Sequence, residues 1–222
     1  MIDERLSIVD IFKIGVGPSS SHTLGPWRAA QQCLARWTTS PGLAGLQALD
    51  VHLFGSLAKT GRGHGTDVAI VAGLLDADPE VCDMVDVHAR VERVLVAEAI
   101  TLPPGNRVEL HVQFHPHESL PAHPNGLRFD GTWADGRHLA ITCFSIGGGF
   151  VAWEDGEGPA RAGVRLPFPV DRAEDLLRWC TDAKLSVSDV VLANEAAWRP
   201  EAETRAFIAR LWQVMRECMY RG

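Results

Sequence analysis

The run Gly17-Pro18-Ser19-Ser20-Ser21-His22-Thr23 sets four hydroxyls and an imidazole directly before a stretch with helical spacing. Pro26 suits a first helical turn, and Ala29, Ala30, Cys33, Leu34 and Trp37 recur at helical intervals, which predicts a helix over Pro26–Trp37. The unpaired N–H groups and positive dipole end of that helix face the preceding loop, where hydroxyls and a histidine add further donors. The segment is a candidate holder of a carboxylate or phosphate. In the plainer alternative, one Ser or Thr caps the helix and the others are solvated.

A second segment, Gly61-Arg62-Gly63-His64-Gly65-Thr66-Asp67, joins the strand-like run Val51–Leu57 to the apolar helical run Val68–Leu75. Thr66 or Asp67 suits the N-cap of that helix, the glycines let a ligand approach the backbone closely, and His64 stands at the helix entrance. The segment is neither a dinucleotide fingerprint nor a P-loop, because Gly65 falls one place short of the G-x-G-x-x-G spacing and no Lys-Ser/Thr follows. A third segment, Leu120–Gly126, holds His123 between two prolines that restrict the backbone, although Asn125-Gly126 is also an ordinary turn dipeptide. The fourth, Ser145-Ile146-Gly147-Gly148-Gly149-Phe150, ends a strand-like run, and its three glycines signal close backbone contact or a hinge.

Helical patterns fall at Ser7–Ile14, Pro26–Trp37, Thr66–Leu75, His88–Ala99, Asp171–Ala183 and Glu201–Met219; strand patterns fall at Leu49–Leu57, Arg107–His115, Gly126–Phe129 and Leu139–Ser145. They mix without strict alternation, which predicts an α+β fold: a mixed sheet with packed helices over residues 1–153. Residues 154–170 read as a linker and 171–222 as a helical connector. In the last helix Phe207, Ile208, Leu211, Trp212 and Met215 make a broad apolar stripe, to be covered by the chain's own domain or by a partner.

In order and spacing, four parts of the chain resemble the beta region of the iron-sulfur L-serine dehydratases, also called L-serine ammonia-lyases. They are Ile11–Thr23, Phe54-Gly55-Ser56-Leu57 with Gly61–Asp67, His123-Pro124-Asn125-Gly126, and Ser145–Phe150. Asn194-Glu195 and Leu211–Gly222 are similar to the connector that leads into the catalytic alpha half of the single-chain enzymes, so the chain reads as that form stopped before the alpha region. The resemblance implies a fold like the allosteric substrate-binding domain and an enzyme that converts L-serine to pyruvate and ammonia through aminoacrylate. It implies a [4Fe-4S] cluster whose ligands belong to the alpha region, with no metal ligand in this chain and no activity for this chain alone. By the same resemblance His22 and His64 are catalytic, Ser19, Ser20, Ser21, Thr23, Thr66 and Asp67 line the substrate site, and His123 and Asn125 are further substrate contacts. Which imidazole takes the alpha proton stays open. The implied partners are L-serine and the alpha region, fused or separate; a homodimer is left open. Two departures stand out: Cys143-Phe144 replaces tyrosine-rich sequence, and His123-Pro124-Asn125 is closer to the two-chain form. A different reading of the same fold is a non-catalytic module that senses serine or another small anion.

Cys33, Cys82, Cys143, Cys180 and Cys218 are isolated, with no C-x-x-C pair, which predicts reduced thiols in a cytoplasmic protein. His111, His115 and His117 alternate along a strand-like run and would share one face, the basis of an unrelated reading as a zinc hydrolase. A net charge of -7 without a Lys/Arg run argues against nucleic acid. Asp3 and Glu4 stand where a signal peptide carries basic residues, and no apolar stretch approaches a membrane span, so neither secretion nor a membrane location is expected.

Overall fold

Buried and half-exposed residues alternate along the first strand, β1 (Leu46–Phe54): Leu49, Val51 and Leu53 are fully buried, while Asp50 and His52 between them are partly exposed. Such a period places one face against a core and leaves the other open. In the computed structural model, which describes residues 6–103, 105–156 and 164–221, β1 lies near the middle of a six-stranded mixed sheet. The other strands are β2 (Ala99–Leu102), β3 (Asn106–His115), β4 (Gly126–Trp133), β5 (His138–Gly147) and β6 (Phe150–Trp153), in the order β2-β3-β1-β4-β5-β6. Among the described residues only the β1–β3 pair is parallel.

The helices are α1 (Ile8–Ile11), α2 (Gly25–Thr39), α3 (Gly55–Thr60), α4 (Thr66–Leu74), α5 (Met84–Ala97), α6 (Ala173–Asp182), α7 (Val187–Glu195) and α8 (Glu201–Arg221). Trp27 and Trp37 of α2, Ile70 and Leu74 of α4, and Val87 and Val91 of α5 join Leu49, Val51, Leu53, Phe129 and Trp133 in one hydrophobic core. Two buried indoles keep their N–H groups paired: Trp27 donates to the Ala77 carbonyl at 2.8 Å and Trp133 to that of Gly42 at 2.9 Å. Ala29, Ala30, Cys33, Leu34 and Trp37 are all buried, as the helical spacing requires.

The α+β architecture agrees with the sequence pattern, and several boundaries move. The strand expected over Leu49–Leu57 ends at Phe54, because Gly55 adopts φ +57° and starts α3. A methyl group on Gly55 would lie 2.3 Å from the Pro124 carbonyl oxygen, so only glycine fits this corner. The expected helix His88–Ala99 begins earlier, at Met84, where Asp83 caps it by accepting from the Val85 amide at 2.8 Å. The helix expected over Ser7–Ile14 is the single turn α1, whose cap Ser7 is pulled toward Glu195. Neither Thr66 nor Asp67 caps α4: Gly65 holds the cap position, and the Thr66 hydroxyl is used elsewhere. β4 runs on to Trp133, and β2, β6 and α7 are additions to the sequence pattern. Of the expected linker, residues 157–163 lie outside the described residues.

The chain divides into two compact units, Gly15–Gly158, which holds the sheet, and Met1–Ile14 with Pro159–Gly222. Within the second unit a buried carboxylate ties the α1 turn to α7. Glu195, 2% exposed, accepts from the Ser7 hydroxyl and the Ile8 amide, each at 2.8 Å, and from the Arg199 guanidinium, which also donates to Ser7 Oγ. On α8, Ile208, Trp212 and Met215 of the predicted stripe are exposed, while Phe207 and Leu211 are partly covered. Among the described residues no helix is long and apolar enough to cross a membrane.

Removing the Glu195 carboxylate leaves two donors and a guanidinium without their acceptor. Glu195→Ala is expected to lower unfolding stability by about 2 kcal/mol, read as an earlier urea midpoint. An unchanged midpoint would contradict the role given to this network.

Candidate functional site

The first three polar segments and the start of the fourth meet at one end of the sheet unit, where β1 and β5 finish, β4 starts, and α2 and α4 begin. The Ser-rich segment is itself wound up. Ser20–Leu24 forms a π-helical turn that runs straight into α2. Ser19 caps this turn, its hydroxyl accepting from the His22 amide at 3.1 Å and its carbonyl from the amides of Thr23 and Leu24. The expected open N-terminus before Pro26 is thus moved back onto the serines themselves.

Two reciprocal bonds lace this turn to the glycine-rich segment. The Thr66 hydroxyl donates to the His22 carbonyl at 2.6 Å, and the Thr23 hydroxyl donates to the His64 carbonyl at 3.0 Å. Both threonines are buried, so each bond satisfies a donor that would otherwise be stranded. The result sets the two imidazoles next to each other, their ring centroids 5.0 Å apart with planes tilted by 42°.

A third tie comes from β5. The Ser145 hydroxyl, fully buried, donates to the Ser21 carbonyl at 2.7 Å. It needs the absence of a side chain at Gly25, where a methyl group would lie 1.9 Å from Ser145 Oγ. Ser145 is in turn paired with Asn125, its amide donating to the Asn125 carbonyl and its carbonyl accepting from Asn125 Nδ2, each at 3.0 Å. The third and fourth segments therefore enter as a brace behind the serines.

The two imidazoles are held differently. His64 Nδ1 lies 2.9 Å from the Thr60 carbonyl oxygen, which can only accept, so the neutral ring carries its proton on Nδ1 and an open lone pair on Nε2. His22 sits between two hydroxyls, Ser21 Oγ at 2.9 Å from Nδ1 and Ser56 Oγ at 3.0 Å from Nε2, and either tautomer is served. Burial and the neighbouring His64 push the His22 pKa below the ordinary imidazole value, against a bond to Ser56 that acts the other way. Its neutral form is therefore favoured in the fold, and any stability tied to that form is complete above pH 6.5 and lost as pH falls through the lowered value.

The hydroxyls expected to line one site divide by task. Thr23, Thr66 and Ser145 are spent on backbone carbonyls, Ser19 on the cap, and Ser21 on His22. The exposed Ser20 side chain makes no bond among the described residues. Asp67 accepts from the amide of Val68 at 3.0 Å. His123 accepts the Asn125 amide on Nδ1 at 3.1 Å and stands near the Phe144 ring, with no bond to the paired imidazoles. Ser56 and Ser145 also belong to the site, beyond the residues the sequence pattern picks out; their signal is a hydroxyl that follows a strand-end glycine or precedes a glycine run.

No three His, Cys, Asp or Glu side chains among the described residues are grouped to hold a metal ion. The three-histidine face fails because β3 ends at His115, leaving His117 in the following turn; His111 faces Asp50 and His115 faces His52. Two of the cysteines are also poorly suited to ligate an iron-sulfur cluster. Cys33 and Cys143 are core residues whose thiols are pushed up by burial, the reverse of what a thiolate ligand requires.

Fold and cleft together define an α+β protein that presents paired imidazoles and serine hydroxyls at the ends of its central strands. A family model described as serine dehydratase beta chain matches residues 7–156, and the chain belongs to that family. Over 98% of its length it is 37% identical to an L-serine dehydratase of Streptomyces coelicolor, 38% to L-serine dehydratase TdcG of Escherichia coli and 40% to an L-serine dehydratase of Mycobacterium bovis. It spans about half of each: 50%, 49% and 48% respectively.

Because burial first and His64 second depress the His22 ring, His64→Ala is expected to raise the His22 midpoint part of the way toward 6.5, followed through its ring resonances in an NMR titration. A midpoint that stays put would show that the rings do not sense each other.

Proposed function

We propose that this chain supplies the serine-holding and proton-handling part of an L-serine ammonia-lyase site. The observation that carries this reading is the His22–His64 pair, one ring locked between hydroxyls and the other, beside it, with Nδ1 on a carbonyl and no hydrogen-bond partner on Nε2 among the described residues. The relatives' names supply the substrate, L-serine.

In the proposed reaction the serine carboxylate docks on the turn Ser19–Ser21, where the Ser20 hydroxyl and the first free amides of the turn are available donors. The His64 Nε2 takes the alpha proton; its Nδ1–H stays on the Thr60 carbonyl, which orients the ring and stabilises the imidazolium that forms. His22, held neutral beside it, adds no opposing charge and keeps the Ser21 and Ser56 hydroxyls aligned. The electron pair left by the alpha proton forms the C=C bond as the C–O bond breaks, and the departing hydroxide and the abstracted proton make up one water; this leaves aminoacrylate, and addition of water to its imine tautomer yields pyruvate and ammonia. The [4Fe-4S] cluster of the family is assigned in this proposal to the half of the relatives that this chain does not span, whether fused or separate, and the chain alone is expected to release no pyruvate. The free lone pair on His64 favours this reading over a module that only senses serine, for which hydroxyl and amide donors would suffice.

The test is pyruvate release by the assembled dehydratase, this chain together with the cluster-bearing half. His64→Ala is expected to lower kcat by about a hundredfold or more while KM changes little. An unaltered kcat would remove His64 as the base.

A further inference from the structure

The sheet face opposite α2, α4 and α5 carries a second polar group that the cleft does not use. Register aligns Gln113, His52, Arg128 and Thr142 in one row across β3, β1, β4 and β5. Arg128, directly opposite His52, is half-buried, and its guanidinium has no hydrogen-bond or ion-pair partner among the described residues; its Nε is buried outright. Its guanidinium carbon stands 5.7 Å from the centre of the Phe54 ring. No carboxylate among the described residues is in ion-pair contact with it. Asp50 is engaged by His111 at 3.2 Å and Gln113 at 3.1 Å, and Asp130, next along β4 on the same side, is not in ion-pair contact with Arg128.

Beside this cation the imidazoles are ordered. His52 Nδ1 and His115 Nε2 share a hydrogen bond of 2.9 Å, and His115 is stacked on Phe54, centroids 5.0 Å apart at 16°. His115 Nδ1 lies 3.4 Å from Glu118 Oε1, which favours a proton there. With both rings neutral, His115 Nε2 is then the acceptor, His52 Nδ1 the donor, and His52 Nε2 keeps an open lone pair. Burial, then the charges of Arg128 and His115, hold His52 below the ordinary imidazole value against the opposing pull of Asp50 and Asp130, so the neutral ring is favoured.

We propose that Arg128 and His52 form a second small-ligand site on this open face, for a compact carboxylate with a hydrogen-bond donor on the adjacent carbon. The carboxylate accepts from the terminal nitrogens of Arg128, and the donor, a hydroxyl or an ammonium, gives its hydrogen to His52 Nε2. The site is independent of the His22–His64 cleft.

The experiment follows the Arg128 Nε–H and His52 ring resonances of the full chain while glycolate, glycine or acetate is added, with sodium chloride as the ionic-strength control. Glycolate or glycine is expected to give saturable shifts, and the tighter of the two names the donor. Acetate, which lacks the donor, is expected to bind about tenfold more weakly. Arg128→Gln abolishes the shifts and His64→Ala leaves them intact, so this site and the cleft fail separately. Should Arg128→Gln lose its folded spectrum, Arg128→Lys keeps the charge but not the planar fork, and is expected to weaken binding about tenfold. Shifts that persist in the Arg128 variants, appear equally with chloride, are confined to His22 and His64, or never saturate would overturn the proposal.

Discussion

Two threonine hydroxyls on two backbone carbonyls hold the cleft together. Thr66 reaches the carbonyl of His22 and Thr23 reaches that of His64, so each motif grips the residue that carries the other's imidazole. Buried hydroxyls rarely stay unpaired, and these two have found partners that fix the spacing of the rings rather than partners in a ligand. The arrangement explains why a hydroxyl-rich motif need not be a motif of ligand contacts. Much of its polarity is spent on geometry.

The brace from β5 works in the same way. Ser145 closes on the Ser21 carbonyl through the space left by Gly25, and Asn125 closes on Ser145 from the start of β4. The serine turn is therefore backed by the sheet as well as by α4. A site held from several independent elements keeps its side chains in one geometry without help from the ligand, the condition for oriented acid–base chemistry.

The α+β class and most elements were legible in the residues, because apolar periodicity and glycine-rich corners are local signals, whereas the pairing of His22 with His64 came only from the resemblance to the family. The roles within the cleft were not. Thr66 suits an N-cap by its type and position, yet its hydroxyl turns to a carbonyl 44 positions earlier in the chain, a choice made by packing between distant segments. The three alternating histidines failed for a related reason: period two holds only while the strand lasts, and β3 stops at His115. Glu195 looked like part of a connector, and its burial under Ser7 and Arg199 depends on a contact 188 positions away.

The central claim is that His64 enters the cleft as the Nδ1–H tautomer with Nε2 open while His22 is neutral beside it. A long-range nitrogen–proton correlation spectrum of the histidine rings at neutral pH reads this directly. The account predicts a protonated Nδ1 and an unprotonated Nε2 for His64. A spectrum with the proton on Nε2 instead, or with His22 as an imidazolium, would contradict it.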